Sequence, residues 1–307
     1  MQIDLSRDIP KTPTTDSERT LDPAVTCENA RAAFARVGIQ VEMEFWNHDD
    51  VMWTARATTD SPCNDFNTHA LMDGKGRTRS QCEASCWMEL ADRFTQYFTR
   101  HPRTSYADHV FDGYNLRTGQ TVPVFLGEGI TSFGNATGNT YEECILHGLH
   151  EMIESAFPAG GVESSTGSGG SWPWRAHQVV DFANLFPDWP DWMKDSFVVI
   201  RVPTPVPEFY HFVAIRAPID LNFEPEARFV LGQDGILGVQ RYRHCEPEGR
   251  LKAGLSTYSG SCGGINPGKC IERAIGECFQ RGPRESYRGR RKPVPDGIEV
   301  VDAADLP

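Results

Sequence analysis

The sequence predicts a mixed α/β fold with mixed sheets, and three observations predict it. Short runs rich in Val, Ile, Phe and Tyr recur along the 307 residues, as half-buried strands require. Three longer segments, at about 79–99, 141–157 and 267–281, carry helical periodicity. Strands and helices alternate irregularly, which points away from a bundle or a sandwich. Composition agrees, since 39% hydrophobic, 10% aromatic and 23% charged residues suffice for a sizeable core.

The elements follow in order. Residues 1–24 are polar, proline-dotted and without period, a leader expected to be disordered. One domain is expected over 25–282. Val37–Trp46 largely alternates, Val51–Thr58 follows a His-Asp-Asp turn, and Asp65–Met72 leads into Gly74-Lys75-Gly76. The first long helix comes next, then strand-like Thr121–Phe125, a Gly/Asn/Thr loop at 126–139 and the second helix. Residues 158–172 form a Gly/Ser-rich flexible loop. Phe197–Val202, Glu208–Ala217, Ala227–Leu231 and Leu251–Ser259 read as strands before the third helix. The tail, 283–307, continues an arginine-rich piece that starts at Arg281 and ends acidic.

Thirty Lys and Arg stand against 42 Asp and Glu, a net charge of −12. No broad basic face can be drawn from that balance, so neither nucleic acid nor a membrane surface is an expected partner, and an anionic ligand needs a local device. No stretch approaches the ~20 apolar residues that span a bilayer. The first residues lack the apolar core of a secretory signal, and a cytoplasmic location is expected. The nine cysteines are odd in number and include no CxxC. They read as reduced thiols packed as small hydrophobes, although Cys82 and Cys86, one helical turn apart, have the spacing of half a zinc site.

The three helices begin alike. Each follows a glycine and has a capping side chain two residues later: Gly76 and Thr78, Gly138 and Thr140, Gly264 and Asn266. Thr78 with Gln81 and Thr140 with Glu143 have capping-box spacing, and Pro267 stands at the first helical position after Asn266. Eleven residues past each cap stands a glutamate, and three further on an acid or amide: Glu89 and Asp92, Glu151 and Glu154, Glu277 and Gln280. Eleven residues is close to three turns, so cap and carboxylates share one face, with Ser85 and Arg273 on the same stripes. If the stripes converge, five carboxylates crowd together and need cations. Hard oxygen donors without thiolates or paired histidines suit Mg²⁺, which leaves positions for phosphate oxygens. Lys75 and Arg93 can then meet the phosphates. The pattern describes a Mg-nucleotide site without a Walker A sequence. Two look-alikes fail: His147, His150 and Glu151 follow neither zinc-protease order, and GSGG at 167–170 lacks a strand–turn–helix context.

Three segments, GKGRTRSQCEASCWMELADRF (74–94), TSFGNATGNTYEECILHGLHEMIES (131–155) and INPGKCIERAIGECFQ (265–280), resemble the nucleotide-binding segments of the YcaO family of ATP-dependent enzymes. The resemblance implies a YcaO-like mixed α/β fold, ATP and Mg²⁺ as cofactors, and activation of a peptide backbone amide by phosphorylation of its oxygen. In that family the outcomes are azolines, thioamides or amidines. Residue by residue, it implies that Glu89, Asp92, Glu151, Glu154 and Glu277 hold metal. Lys75, Ser85, Arg93, Ser132, Asn139 and Arg273 would bind nucleotide, and Glu277, Gln280 and Arg281 would serve catalysis. Asp92 stands where a glutamate is usual, Ser155 where arginine is usual, and Phe133 where asparagine is common. The tail holds only Pro293 and Pro295 before its acidic end, against the alternating prolines of many azoline-forming members. Expected partners are a peptide or protein substrate, a separate leader-binding or sulfur-delivery protein, and a second copy as a homodimer. The alternative is a non-catalytic YcaO-like subunit that binds nucleotide or peptide within a larger synthetase.

Overall fold

The computed structural model describes residues 19–60, 72–100, 109–125, 134–156, 174–176, 178–216, 227–231, 237–241, 258–281 and 299–306. The chain divides into two compact units, Met1–Met152 and Ile153–Pro307, so the span expected as one domain comprises both.

The first unit opens with helix α1 (Pro23–Arg36), which the sequence reading did not anticipate. Asp22 caps it by accepting from the Ala24 N–H at 2.8 Å, and Pro23 takes the first position, where no donor is needed. Arg19 and Thr20, expected as part of the loose leader, are tied down instead. Both donate to Glu143, Arg19 from its guanidinium at 3.0 Å and Thr20 from its hydroxyl at 2.7 Å and its backbone N–H at 3.1 Å.

Strands β1 (Val41–His48), β2 (Met52–Thr59) and β3 (Met72–Gly76) form an antiparallel sheet in that order. The three-residue β1–β2 connection places Asp49 and Asp50 at φ 53° and 59°, a left-handed pair closed by the Val51 N–H donating to the His48 carbonyl at 3.1 Å. Gly74-Lys75-Gly76 belongs to β3 itself, paired with Ala55, Thr54 and Trp53. Helix α2 (Arg79–Arg100) lies on β2 and β3. It buries Cys82, Cys86, Trp87 and Leu90 in a core with Cys27, Phe34, Ala55, Ala57 and Met72. The Cys82 and Cys86 thiols are therefore core groups, and desolvation pushes both well above the usual thiol range. No disulfide joins any of the described cysteines. A two-stranded ribbon, β4 (Val110–Asn115) with β5 (Gln120–Phe125), and helix α3 (Tyr141–Ala156), whose residues from Ile153 on belong to the second unit, follow.

The second unit holds β6 (Trp174–Ala176), β7 (Gln178–Asp181), α4 (Asp191–Ser196), β8 (Phe197–Val202), β9 (Tyr210–Arg216), β10 (Ala227–Leu231), β11 (Leu237–Arg241), β12 (Tyr258–Gly264), α5 (Pro267–Arg281) and β13 (Glu299–Asp302). Five strands form one sheet in the order β12-β9-β8-β7-β13, antiparallel except for the parallel β7–β13 pair. A smaller sheet has the order β10-β11-β6. Strands β8 and β9 read as near-continuous apolar runs because both are central. Phe197, Val199, Phe212 and Val213 are fully buried. Helix α5 packs on β9 and β12 and buries Ile271, Ala274, Ile275 and Cys278. The mixed sheets and long helices are those the sequence predicts. Among the described residues no helix is long and apolar enough to cross a membrane.

Candidate functional site

The three caps form as their spacing requires. The Thr78 hydroxyl accepts from the Gln81 N–H at 3.2 Å, Thr140 from Glu143 at 3.2 Å, and the Asn266 side-chain oxygen from Lys269 at 3.0 Å. Each cap satisfies a donor that the first helical turn leaves orphaned and fixes the helix phase, hence the direction of the polar stripe.

In the first unit α2 carries Glu89, Asp92 and Arg93, all partly buried. Arg93 sits one turn beyond Glu89 and donates to its Oε1 through Nε at 2.9 Å, with a terminal nitrogen at 2.7 Å. The guanidinium expected to meet phosphate is thus held on a carboxylate in this state. Burial pushes Asp92 up to about 6, and the Glu89 charge adds to it; Arg93 and the Gln96 hydrogen bond oppose the rise, and Glu151 of α3 contributes a smaller like-charge effect. His147 pairs with Glu151 at 3.5 Å within α3. Lys75 lies in β3 opposite Thr54, and Ser85 is half-buried on α2.

Asn139 precedes the α3 cap and is part of a network. Its Oδ1 accepts from the Thr26 hydroxyl of α1 at 3.1 Å, and its Nδ2 donates to Glu143 at 3.3 Å. Burial alone would raise Glu143, but the Thr20 hydroxyl and the Arg19 charge outweigh it and hold the carboxyl below its usual range. The stripe residue nearest the α3 cap therefore anchors the chain around residue 20.

In the second unit Glu154 and Glu277 are brought onto one strand residue. Ser261 of β12 donates its hydroxyl to Glu154 Oε1 and its backbone N–H to Glu277 Oε2 at 3.1 Å, while the Gly263 N–H reaches Glu154 Oε2 at 2.9 Å. Gly260 makes this approach possible: a Cβ there would stand 2.1 Å from the Ala274 carbonyl and 2.3 Å from Glu277 Cβ. Arg273 and Gln280 are half-buried on α5 beside these groups in sequence, and Arg281 ends the helix. Ser132 lies outside the described residues.

Solved structures share this architecture. The structure of YcaO from Methanopyrus kandleri bound with AMPPCP and Mg²⁺ is similar at a TM-score of 0.58 and 17% identity, over 94% of this chain and 78% of that one. The fold is that of YcaO. A heterocyclase in complex with substrate and cofactor is similar at a TM-score of 0.57 and 14% identity, over 95% of this chain but 46% of that one, so this chain spans less than half its length. No protein-family model and no curated protein matches the sequence.

On this YcaO fold the first unit groups Glu89, Asp92, Arg93 and Glu151, and the second groups Glu154 and Glu277. Two residues escaped the sequence reading. Ser261 lies in SGSCGG, a stretch noticed only for the glycine before the third helix, and the signal for it was the alternation of small residues that lets a helix approach a strand. Gln96 is 3% exposed and donates to Asp92 Oδ2 at 2.7 Å. It stands one turn past the last carboxylate of the stripe, where i,i+4 spacing could have flagged it.

Proposed function

We propose that the chain is a YcaO-type enzyme that uses Mg-ATP to activate a peptide backbone amide, with a thioamide, amidine or azoline as the product class. The observation that carries the reading is Asp92, a carboxyl driven up to about 6 by burial and by Glu89, on a fold that a neighbour uses with AMPPCP and Mg²⁺. Such a group costs free energy when ionised and regains it when a cation arrives. Among the described residues no three His, Cys, Asp or Glu side chains stand close enough to form a complete metal cage. Mg²⁺ takes one or two carboxylates directly and completes its shell with water and phosphate, so some of the carboxylates named below would act through its waters.

When bound, the metal supplies charge neutralisation for phosphoryl transfer. The chain's own residues have separate tasks. Glu89, Asp92 and Glu151 would hold metal in the first unit, and Glu154 and Glu277 are the carboxylates proposed for it in the second. Arg93 would exchange Glu89 for phosphate, Lys75, Ser85, Ser132, Asn139 and Arg273 would bind nucleotide, and Gln280 and Arg281 would act with Glu277 on the reacting amide. A separate leader-binding or sulfur-delivery protein and a second copy of the chain are the proposed partners, and the cytoplasm the proposed location.

Calorimetric titration with AMPPCP, with and without Mg²⁺, tests the reading. Saturable binding that requires Mg²⁺ is expected, and Glu151→Gln should weaken it by about tenfold or more. Glu143→Gln should leave the metal requirement alone, because Glu143 is committed to Arg19 and Thr20. No nucleotide binding by the native chain would overturn the proposal. The non-catalytic subunit remains as a second reading because Ser155 occupies the position where the resemblance implies arginine; phosphate release with a supplied peptide separates the two.

A further inference from the structure

Gln96 lies one turn beyond Asp92 on α2 and is almost fully buried. Its Nε2 donates to Asp92 Oδ2 at 2.7 Å, which also fixes which end of the amide is nitrogen, since a carboxylate only accepts. Its Oε1 is sealed from solvent and meets no donor among the described residues. Both atoms sit on one carbon, so the orphaned acceptor stands beside the Asp92 carboxylate. A buried acceptor without a donor costs free energy, and an apolar side chain of similar length would fill the same space without that cost. The arrangement makes sense when a donor comes from outside. A hydrated divalent cation brings such donors, because Mg²⁺ keeps several waters and their hydrogens point away from the metal.

We propose that Gln96 is a positioning residue of the carboxylate cluster: Nε2 fixes the Asp92 carboxylate, and Oε1 accepts a hydrogen bond from a water of the cation's shell. The inference rests on the Mg-nucleotide reading of Glu89, Asp92 and Glu151. Partners of this kind around a metal set its affinity as well as its orientation.

The test titrates MgCl₂ against the full chain at fixed AMPPCP and reads melting temperature and heat of binding. Gln96→Leu should raise the Mg²⁺ concentration for half-saturation by about tenfold or more. Without metal the leucine variant loses the donor to Asp92 together with the orphaned acceptor, so its melting point should stay close to that of wild type. Gln96→Glu is isosteric and keeps the test decisive should the leucine variant fail to fold. It loses the donor to Asp92 and adds a like charge, so its melting point should fall without Mg²⁺ and recover with it. Half-saturation within twofold of wild type in both variants, or a melting loss that Mg²⁺ does not restore, would overturn the role of Gln96 while leaving the nucleotide site standing. If the wild type itself shows no Mg-dependent binding, the site reading and this inference fall together.

Discussion

Burial and the Glu89 charge push Asp92 up to about 6, from a usual value of 3.8, so its ionised form opposes folding. A group raised in this way takes up a proton on folding. Its penalty is absent at pH values below its unfolded pKa, grows as pH climbs between 3.8 and about 6, and is complete above that. Asp92→Asn removes the charge and keeps an oxygen to accept from Gln96. We expect the metal-free variant to be more stable than wild type by about 2–3 kcal/mol at pH 8 and by well under 1 kcal/mol at pH 4. Chemical denaturation at the two pH values reads this directly, and equal stability at pH 8 would mean that the Arg93 charge fully offsets the burial of the Asp92 carboxylate in the metal-free chain. Glu143 has the opposite sign. Its folded value is lowered, so its contribution is present above the ordinary carboxylate range and is lost on acidification through that lower value.

The same element pairing occurs in both units: a strand with a glycine at the contact, then a capped helix lying back on it. A Cβ on Gly74 of β3 would stand 2.3 Å from the Cys82 carbonyl of α2, and one on Gly260 of β12 would stand 2.1 Å from the Ala274 carbonyl of α5. Both obstacles are backbone, which cannot rotate aside. Gly74→Ala and Gly260→Ala are each expected to cost about 3 kcal/mol or more, the upper range for overpacking. Gly268→Ala should be neutral or slightly stabilising, because its nearest neighbours lie at 3.6 and 3.8 Å and the site is helical. A thermal or urea series over the three variants decides it; costs below about 1 kcal/mol at Gly74 and Gly260 would mean that the helices shift easily. These contacts also show what the sequence could and could not reveal. Thr78, Thr140 and Asn266 were legible because a cap is a local signal, and the stripes followed from helical geometry. Helix α1 was not, because its buried side chains, Pro23, Thr26, Cys27 and Phe34, are partly small or polar and draw no apolar stripe. Ser261 was hidden for another reason. Its partner Glu277 is 16 residues away on the next helix but Glu154 is 107 away, and only tertiary packing makes a strand serine a shared donor to both.

At the scale of the whole molecule, each unit is closed by segments more than a hundred residues apart. Arg19 reaches Glu143 across 124 residues, and Gln178 donates to Glu299 across 121. In the second unit the closing piece is β13, which pairs in parallel with β7 from Glu299↔Gln178 to Asp302↔Asp181. Asn184 adds a hydrogen bond to Asp302 at 2.5 Å, and Ala303 is buried just beyond. Within the sheet β7 would otherwise be an edge strand, with Val179 and Val180 fully buried and its outer backbone groups unpaired. Ending the chain at residue 298 should therefore lower stability by on the order of 2 kcal/mol, from a few strand hydrogen bonds of about 1 kcal/mol each less the entropy regained. It should also promote association through the bared edge. Gln178→Ala, which keeps β13 and removes only the side-chain hydrogen bonds to Glu299 and Arg201, should cost no more than about 1 kcal/mol. Urea denaturation with light scattering measures both effects. An unchanged midpoint in the truncated chain, without association, would show that β13 follows the sheet without stabilising it.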